Sequence, residues 1–251
     1  CGLFSLATPL AVDEQRRFTN LPARRVKITG PCNHRPPMHP DMPILKAEAL
    51  SFSHSQPPSP LLFDRLSIAV PPGVTFVRGD ESSGKTTLLR LLAGDLPANG
   101  LGGALQIRGL RLTENRPAYL QQVAWLDPRD TALDQQTARH IFDDLTHRHA
   151  GFDPDALQSH IDGLSLAPHL DKALYMMSSG TRRKVLMAAA LASGAAVTLL
   201  DQPFMALDRP SIHYLLQVLD AAARHQDRAW VVADYEAPEN VALASVIALG
   251  A

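Results

Sequence analysis

A short segment in the first half of the chain has the residue types and spacing of a loop that binds phosphate groups. Two glycines, a lysine and a threonine match the pattern G-x-x-x-x-G-K-[ST] at every fixed position. The segment is Gly79-Asp80-Glu81-Ser82-Ser83-Gly84-Lys85-Thr86. Glycines allow the backbone to curl so that successive N–H groups point at phosphate oxygens. The pattern therefore predicts a nucleotide site rather than a chance glycine loop.

The flanking sequence and the side chains of this loop support the same reading. Val74–Arg78 is a strand candidate, and Thr86–Ala93 has leucines at helical spacing, so the loop leads from a strand into a helix N-terminus. Lys85 is predicted to reach the β- and γ-phosphates, and the Thr86 hydroxyl to hold Mg²⁺. Thr87 is included among the nucleotide contacts. ATP and Mg²⁺ are the predicted ligands.

A carboxylate further along the chain is placed to share that metal. Ala195–Leu200 is nearly free of polar side chains, which is typical of a central parallel strand covered on both faces. Asp201 follows at its carboxyl end, where α/β sheets gather ligand chemistry. We expect Asp201 to complete the Mg²⁺ shell with Thr86; a helix cap is the alternative role. Gln202 comes next, where a hydrolytic site would be better served by a second acid.

Further motifs resemble those of the ATP-binding cassette (ABC) ATPases. Met177-Ser178-Ser179-Gly180-Thr181-Arg182-Arg183-Lys184 resembles the signature usually written LSGGQ. Phe204–Asp208 resembles the D-loop of that family, and Trp230–Asp234 falls where its last catalytic strand ends. The order and spacing match from about Leu45 to Gly250. The resemblance identifies the chain as a nucleotide-binding domain of an ABC transporter.

This resemblance implies an α/β fold with three parts. The first is a P-loop NTPase core of mainly parallel sheet flanked by helices, and the second is a small antiparallel β subdomain that includes Ala104–Leu112. The third is an α-helical insert at about residues 130–178. The ABC domain is expected to span residues 44–251, after a Pro-rich tail at residues 1–43 that we expect to be disordered.

In this family two cassettes face each other, and each nucleotide lies between the phosphate loop of one and the signature of the other. The resemblance therefore implies that Ser178, Ser179 and Gly180 serve the ATP of a partner. Gly180 is expected to open a helix over Thr181–Ala192, whose N-terminus would face a phosphate. A Ser-rich helix start that only caps the helix is the plain alternative. Asp208 is the D-loop residue.

Three departures from the family pattern concern hydrolysis. The family has a Glu where this chain has Gln202, and a carboxamide cannot take up a proton from water near neutral pH. The family has a His that contacts the γ-phosphate, for which Ala233 stands in our alignment. A Gln at the junction between core and insert is also missing, and Asp127 or Arg129 stands nearest. Together they predict that ATP is bound but hydrolysed slowly.

Milder deviations surround the nucleotide. Asp80 and Glu81 would be unfavourable if they turned toward a triphosphate, so we expect both to face solvent. The aromatic residue that stacks on adenine in the family falls near Phe52-Ser53-His54, which makes His54 a candidate, with a surface role as the alternative.

Composition limits the other functions. The chain has 251 residues, 45% hydrophobic, and a formal net charge of -1, which gives no reason to expect nucleic acid as a partner. No apolar run approaches the roughly 20 residues that cross a bilayer. Cys1 and Cys32 are the only thiols, which fits a reducing cytosol. Cys32, His34 and His39 offer no fourth partner for a metal, and we do not interpret them as a metal site.

The function that follows is the ATP-binding subunit of a transporter. It would couple ATP binding and impaired hydrolysis to transport by a separate permease, from the cytoplasmic face of the membrane. A second cassette is required, and a heterodimer is favoured because the signature survives while the hydrolytic residues do not. The alternatives are a non-transporting clamp that uses ATP as a dimerising ligand, and a residual ATPase with a replacement catalytic residue. The segment GKTTLLRLLAG also resembles cassettes of cytochrome c maturation, too generally to name a cargo.

Overall fold

The computed structural model describes residues 42–53, 61–96 and 102–249. All of the described residues belong to one compact unit. Most of the tail predicted at residues 1–43 lies outside the described residues, as do His54 and the set Cys32, His34 and His39. Those predictions stay untested.

A parallel sheet forms the centre of the described chain. Its strand order is β6-β7-β8-β3-β9, and all neighbours run parallel. The strands are β3 (Gly73–Arg78), β6 (Val123–Ala124), β7 (Val197–Asp201), β8 (Ala229–Asp234) and β9 (Leu243–Ala248). Residues of β7 and β8 are almost all buried, as the apolar run before Asp201 predicts.

A second, antiparallel sheet has the order β2-β1-β4-β5. Its strands are β1 (Leu45–Phe52), β2 (Phe63–Val70), β4 (Gly102–Ile107) and β5 (Leu110–Arg111). The range Ala104–Leu112 covers most of β4, the turn after it, β5 and the residue that follows β5, so it lies where the small β subdomain was predicted.

Six α-helices pack around the sheets within the described ranges. They are α1 (Lys85–Leu92), α2 (Arg116–Gln121), α3 (Ala138–Arg148), α4 (Pro154–Gly163), α5 (Ser179–Ala192) and α6 (Arg209–Ala222). Short 3₁₀ turns occur at Thr131–Leu133, Ala167–His169 and Leu174–Met176. Helices α3 and α4 with these turns lie in the part where the helical insert was predicted. None of the helices in the described ranges has the length and apolar character to span a bilayer.

Two large hydrophobic clusters cover the parallel sheet. Val77, Leu199 and Val231 pack in one cluster with α1 and the antiparallel sheet. Neighbouring strand residues, among them Phe76 and Leu200, pack in the other with α3 to α6. Because side chains alternate along a strand, the two clusters lie on opposite faces of the sheet. The arrangement fixes the carboxyl ends of β3, β7 and β8 side by side, and these ends carry the candidate site.

Candidate nucleotide-binding site

The phosphate loop lies between the end of β3 and the start of α1. Gly84 precedes the first residue of α1 with φ 94°, a left-handed conformation that disfavours side chains. A Cβ at this position would also approach Phe63 to 3.0 Å. A Cβ on Gly79 would collide with the Ser83 side chain. Gly84 is therefore required by the backbone conformation, and Gly79 by its close contact with the Ser83 side chain.

Lys85 is buried at the base of the loop, with a relative exposure of 6%. Its Nζ donates hydrogen bonds to the carbonyl oxygens of Gly79 at 2.6 Å and Asp80 at 2.8 Å. The same ammonium group lies 4.3 Å from the ring centroid of Tyr235, within the range of a cation–π contact. Asp80 and Glu81 are both exposed, as expected, but Glu81 also belongs to the lining of the cavity beside the loop.

Asp201 lies at the end of β7 beside the start of α1. Its Oδ2 accepts a hydrogen bond from the Thr86 hydroxyl at 2.7 Å, and its side chain is 4% exposed. The buried Oδ1 has no hydrogen-bond partner among the described residues. A hydroxyl and a carboxylate that converge in this way, with one oxygen unsatisfied, are a donor set that suits Mg²⁺. The structure brings Thr86 and Asp201 into contact, and their shared role at a metal ion stays a prediction.

Arg129 reaches the same two side chains. Its Nη2 donates to Asp201 Oδ2 at 2.7 Å and lies 3.2 Å from Thr86 Oγ1. Asp127 Oδ1 accepts from the backbone N–H of Arg129 at 2.9 Å and from its Nε at 3.2 Å. Arg129, which the sequence aligns only loosely with the missing Gln of the family, is therefore part of the candidate site. A guanidinium group stands where a cation would lie between Thr86 and Asp201.

Gln202 directly follows Asp201 and has φ 46°. Its backbone N–H donates to the carbonyl oxygen of Ala233 at 2.8 Å, which ties the ends of β7 and β8 together. The side chain lines the cavity beside the phosphate loop. The position that the sequence singled out thus faces the candidate nucleotide.

Ala233 does not face the cavity, and this corrects its predicted place beside the nucleotide. The residue is wholly buried within β8, where its side chain packs in the cluster that contains α1. Tyr235, which follows β8, instead lines the cavity and contacts Lys85. Tyr235 was not predicted as a site residue, because Ala233, the position matched to the family's His, lies inside the strand. The aromatic directly after the strand-ending Asp234 was the available signal.

Asp234 is the last residue of β8 and has an altered acidity. Burial raises the pKa of its carboxyl group, and the nearby Asp201 carboxylate raises it further. Its Oδ1 accepts a hydrogen bond from the Tyr235 backbone N–H at 2.8 Å, which acts in the opposite direction. Asp234 is thus a more basic carboxylate close to the phosphate loop.

A cavity of about 560 Å³ lies beside the phosphate loop. One part of its lining comes from the phosphate loop and the start of α1, and we call residues 81–87 the loop wall. The other part, which we call the mixed wall, comes from separate segments of the chain. The mixed wall consists of Arg129, Gln202, Met205 and Tyr235. Leu62 completes the described lining.

The signature residues do not line this cavity. Ser178 is the N-cap of α5, and its Oγ accepts a hydrogen bond from the Thr181 backbone N–H at 3.1 Å. Ser178 and Ser179 are exposed, whereas Gly180 is buried. A Cβ on Gly180 would collide with the carbonyl oxygen of Ala206. The helix begins at Ser179 rather than at Thr181, so the capping role holds whatever else the motif does.

Two neighbouring arginines at the start of α5 tie it to the candidate site. Arg182 Nε donates to the carbonyl oxygen of Pro128 at 2.9 Å, and the same guanidinium pairs with Asp134. Arg183 Nη1 donates to the carbonyl oxygens of Asp201 at 3.0 Å and Gln202 at 2.9 Å. Burial lowers the pKa of Arg183. The start of α5 is thus bonded both to the loop of Arg129 and to the end of β7.

Asp208, the predicted D-loop residue, begins α6. Its Oδ1 accepts from the Ser211 backbone N–H at 2.9 Å, and its other oxygen pairs with Lys184 of α5. The Lys184 ammonium group holds the pKa of this carboxyl below its usual range. Within its own chain, Asp208 therefore caps α6 and links it to α5.

Comparisons with known proteins agree with this geometry. The sequence profile of the ABC transporter family matches residues 63–205. The cytochrome c biogenesis ATP-binding export protein CcmA of Nitrosococcus oceani is 32% identical over 183 residues, which cover 72% of this chain and 81% of that protein. The human phospholipid-transporting ATPase ABCA3 is 29% identical over 196 residues, 75% of this chain but 11% of that much longer protein.

Solved structures show the same fold. The dimeric structure of MJ0796, a bacterial ABC transporter cassette, superposes with a TM-score of 0.62 at 16% sequence identity, over 76% of this chain and 88% of that chain. Fold and site together define a P-loop nucleotide-binding protein. The chain belongs to the ABC transporter family, and within it to the ATP-binding subunits.

Proposed function

We propose that this chain binds ATP in the cavity beside Lys85, closes on it together with a second cassette, and hydrolyses it slowly. Through this cycle it would drive a separate transmembrane permease. The observation that carries the proposal is the combination of an intact loop wall with Gln202 on the mixed wall. Binding residues are in place, whereas the residue expected to activate water has no carboxylate.

Phosphate binding would use groups that are already positioned. The backbone N–H groups of residues 81–86 and the N-terminus of α1 offer donors and partial positive charge to phosphate oxygens. Lys85 would exchange the loop carbonyls of Gly79 and Asp80 for the β- and γ-phosphates. Thr86 and Asp201 would hold Mg²⁺ if Arg129 withdraws, and the ion would supply charge neutralisation at the phosphates.

Hydrolysis would be slow because the mixed wall lacks a proton acceptor. The Gln202 amide can orient water by hydrogen bonds but does not take up its proton near neutral pH. Loss of a positioned general base costs roughly 10² to 10⁴ in rate. The cost falls on the chemical step, because Gln202 is not needed to hold the phosphates.

Asp234 favours a second candidate, a residual ATPase with a replacement base. Its pKa is raised, so it accepts a proton more readily than an ordinary aspartate. Its neighbour Tyr235 lines the cavity, although Asp234 itself is not part of the lining. An Asp234→Asn variant would then lose most of the remaining hydrolysis while ATP affinity is kept.

A second cassette would complete the site. The described lining of the cavity includes neither Ser178 nor Gly180, and the exposed Ser178 and Ser179 are available to another chain. The dimeric MJ0796 cassette supports this arrangement by its fold. A heterodimer is our preferred form, because an active partner would use the signature of this chain. Attachment to the cytoplasmic face of a membrane would come through the permease.

The test is ATP binding by calorimetry and single-turnover hydrolysis on the purified chain, beside Gln202→Glu and Asp234→Asn. We expect wild type to bind ATP and to hydrolyse it slowly, and Gln202→Glu to be faster. A wild-type rate equal to that of Gln202→Glu would show that Gln202 does not limit hydrolysis. If only Asp234→Asn lowers that rate, Asp234 is the replacement base.

A further inference from the structure

Arg129 places its guanidinium between the two side chains suited to Mg²⁺. Nη2 lies 2.7 Å from Asp201 Oδ2 and 3.2 Å from Thr86 Oγ1, so one nitrogen contacts both oxygens. The Asp201 side chain is 4% exposed, and a buried carboxylate requires a partner. Arg129 supplies that partner at Oδ2, whereas Oδ1 has no hydrogen-bond partner among the described residues.

The segment that carries Arg129 is held in position on two sides. Asp127, with a side chain 17% exposed, accepts hydrogen bonds from both the backbone N–H and the Nε of Arg129. Arg182 donates to the carbonyl oxygen of Pro128 at 2.9 Å. Arg129 is therefore held both at its backbone and at its guanidinium group. Mg²⁺ would have to break the contact between Nη2 and Asp201 to reach that oxygen.

The rest of the guanidinium remains available to a ligand. Nη1 makes no hydrogen bond with the described residues, and Arg129 lines the same cavity as the phosphate loop. Its side chain is 58% exposed, so this nitrogen can meet a phosphate oxygen. Arginine binds phosphate through a planar fork of N–H donors and stays charged at all relevant pH values.

The geometry points to Arg129 as a built-in cation of this site, which occupies the position between Thr86 and Asp201 and donates to the bound triphosphate, so that ATP binds with little dependence on Mg²⁺. This inference rests on the proposed function, because it requires ATP in the cavity. Arg129 touches the ligand in this scheme, whereas Asp127 acts only by positioning it. Mg²⁺ would have to displace the guanidinium from Asp201 Oδ2 before it could bind between Asp201 and Thr86.

The experiment compares ATP affinity by calorimetry in excess MgCl₂ and in excess EDTA, for wild type, Arg129→Gln and Arg139→Gln. Arg139 is a matched control, since its side chain is 56% exposed and pairs with a single carboxylate, Asp171, at 2.8 Å. In wild type and Arg139→Gln we expect the two dissociation constants to agree within about threefold. In Arg129→Gln we expect ATP to bind at least about tenfold more weakly in EDTA than in MgCl₂.

A wild-type affinity that falls tenfold or more in EDTA overturns the assignment, whether or not Arg129→Gln folds. Equal metal dependence in wild type and Arg129→Gln overturns it as well. If wild type binds ATP in neither buffer, the proposed function fails together with the inference. If wild type binds ATP in MgCl₂ but at least about tenfold more weakly in EDTA, the inference fails and the proposed function stands. Rescue by Arg129→Lys of part of the metal independence would support a charge effect rather than a structural one.

Discussion

The loop wall and the mixed wall of the cavity differ in how their side chains are held. On the loop wall, Lys85 is fixed by two carbonyl oxygens of the same short segment, Gly79 and Asp80. On the mixed wall, Arg129, Gln202 and Tyr235 come from three segments that are far apart in the sequence. The loop wall is encoded locally and keeps the family pattern, whereas the mixed wall depends on tertiary packing and departs from it. We therefore expect substitutions on the loop wall to change ATP binding and substitutions on the mixed wall to change hydrolysis.

The strongest test of this difference is Lys85→Ala. We expect ATP affinity to fall roughly 10³-fold, because truncating one partner of a buried, hydrogen-bonded charge pair costs about 2–5 kcal/mol. Calorimetry measures the dissociation constant, with Lys46→Ala on β1 as a control that should bind like wild type. Undiminished binding by Lys85→Ala would mean that the loop wall is not where the phosphates lie.

Gln202→Glu tests the mixed wall. We expect single-turnover hydrolysis to rise about 10²-fold, at the lower end of what a positioned base contributes, with ATP affinity nearly unchanged. Gln217→Glu, an exposed position on α6, makes the same chemical change away from the cavity and should have no effect. An unaltered rate in Gln202→Glu would remove the contrast between the two walls.

A buried histidine in α4, outside the cavity, makes the stability of the fold depend on pH. Burial lowers the pKa of His160 in α4 to about 4, and its Nδ1 lies 2.8 Å from the Tyr214 hydroxyl. The folded state disfavours the protonated ring, so the neutral form of His160 contributes to the free energy of unfolding above pH 6.5. This contribution is lost as the pH falls toward 4. Between pH 7 and pH 5 we expect a loss of about 2 kcal/mol in the free energy of unfolding.

Urea denaturation of wild type and His160→Gln at both pH values measures this loss. The variant should be less sensitive to acid by that amount, since other titrating groups are common to both proteins. Parallel losses in the two proteins would contradict the assignment to His160.

The smallest expected effect concerns the signature. Ser178→Ala removes the N-cap of α5 and should lower the free energy of unfolding by about 1 kcal/mol. Ser179→Ala, one residue on and without a cap bond, should cost less. Urea denaturation compares the two variants, and equal stability would show that the cap contributes little. ATP binding by the isolated chain should be unaffected in both, because neither serine lines its cavity.

Sequence patterns predicted the parts of the molecule that are fixed by local chemistry. The loop between β3 and α1, the buried strand β7 and the carboxylate at its end all follow from glycine spacing and apolar runs. The pairing of Thr86 with Asp201 was also anticipated, since both positions belong to motifs. Helix boundaries differed by a residue or two, because Lys85 and Ser179 already have helical backbones.

The mixed wall was harder to predict for a physical reason. Tyr235 and Arg129 lie just outside regular elements, where one residue of register decides which side chain faces the cavity. In β8, burial of Ala233 is dictated by packing against the α1 side of the sheet, and this shifts the cavity contact two residues onward. A single sequence contains no signal for that choice of face. The contact of Arg129 with Asp201 likewise depends on how the Asp127 turn is tethered.

The adjacent arginines at the start of α5 connect the helix to two segments of the candidate site. Arg182 donates a hydrogen bond to the turn that carries Arg129, and Arg183 donates to the backbone carbonyls of Asp201 and Gln202. The start of this helix is therefore bonded to both segments. The same end presents Ser178 and Ser179 on the surface. The start of α5 therefore connects an exposed surface with the turn of Arg129 and the end of β7 through three hydrogen bonds within the chain.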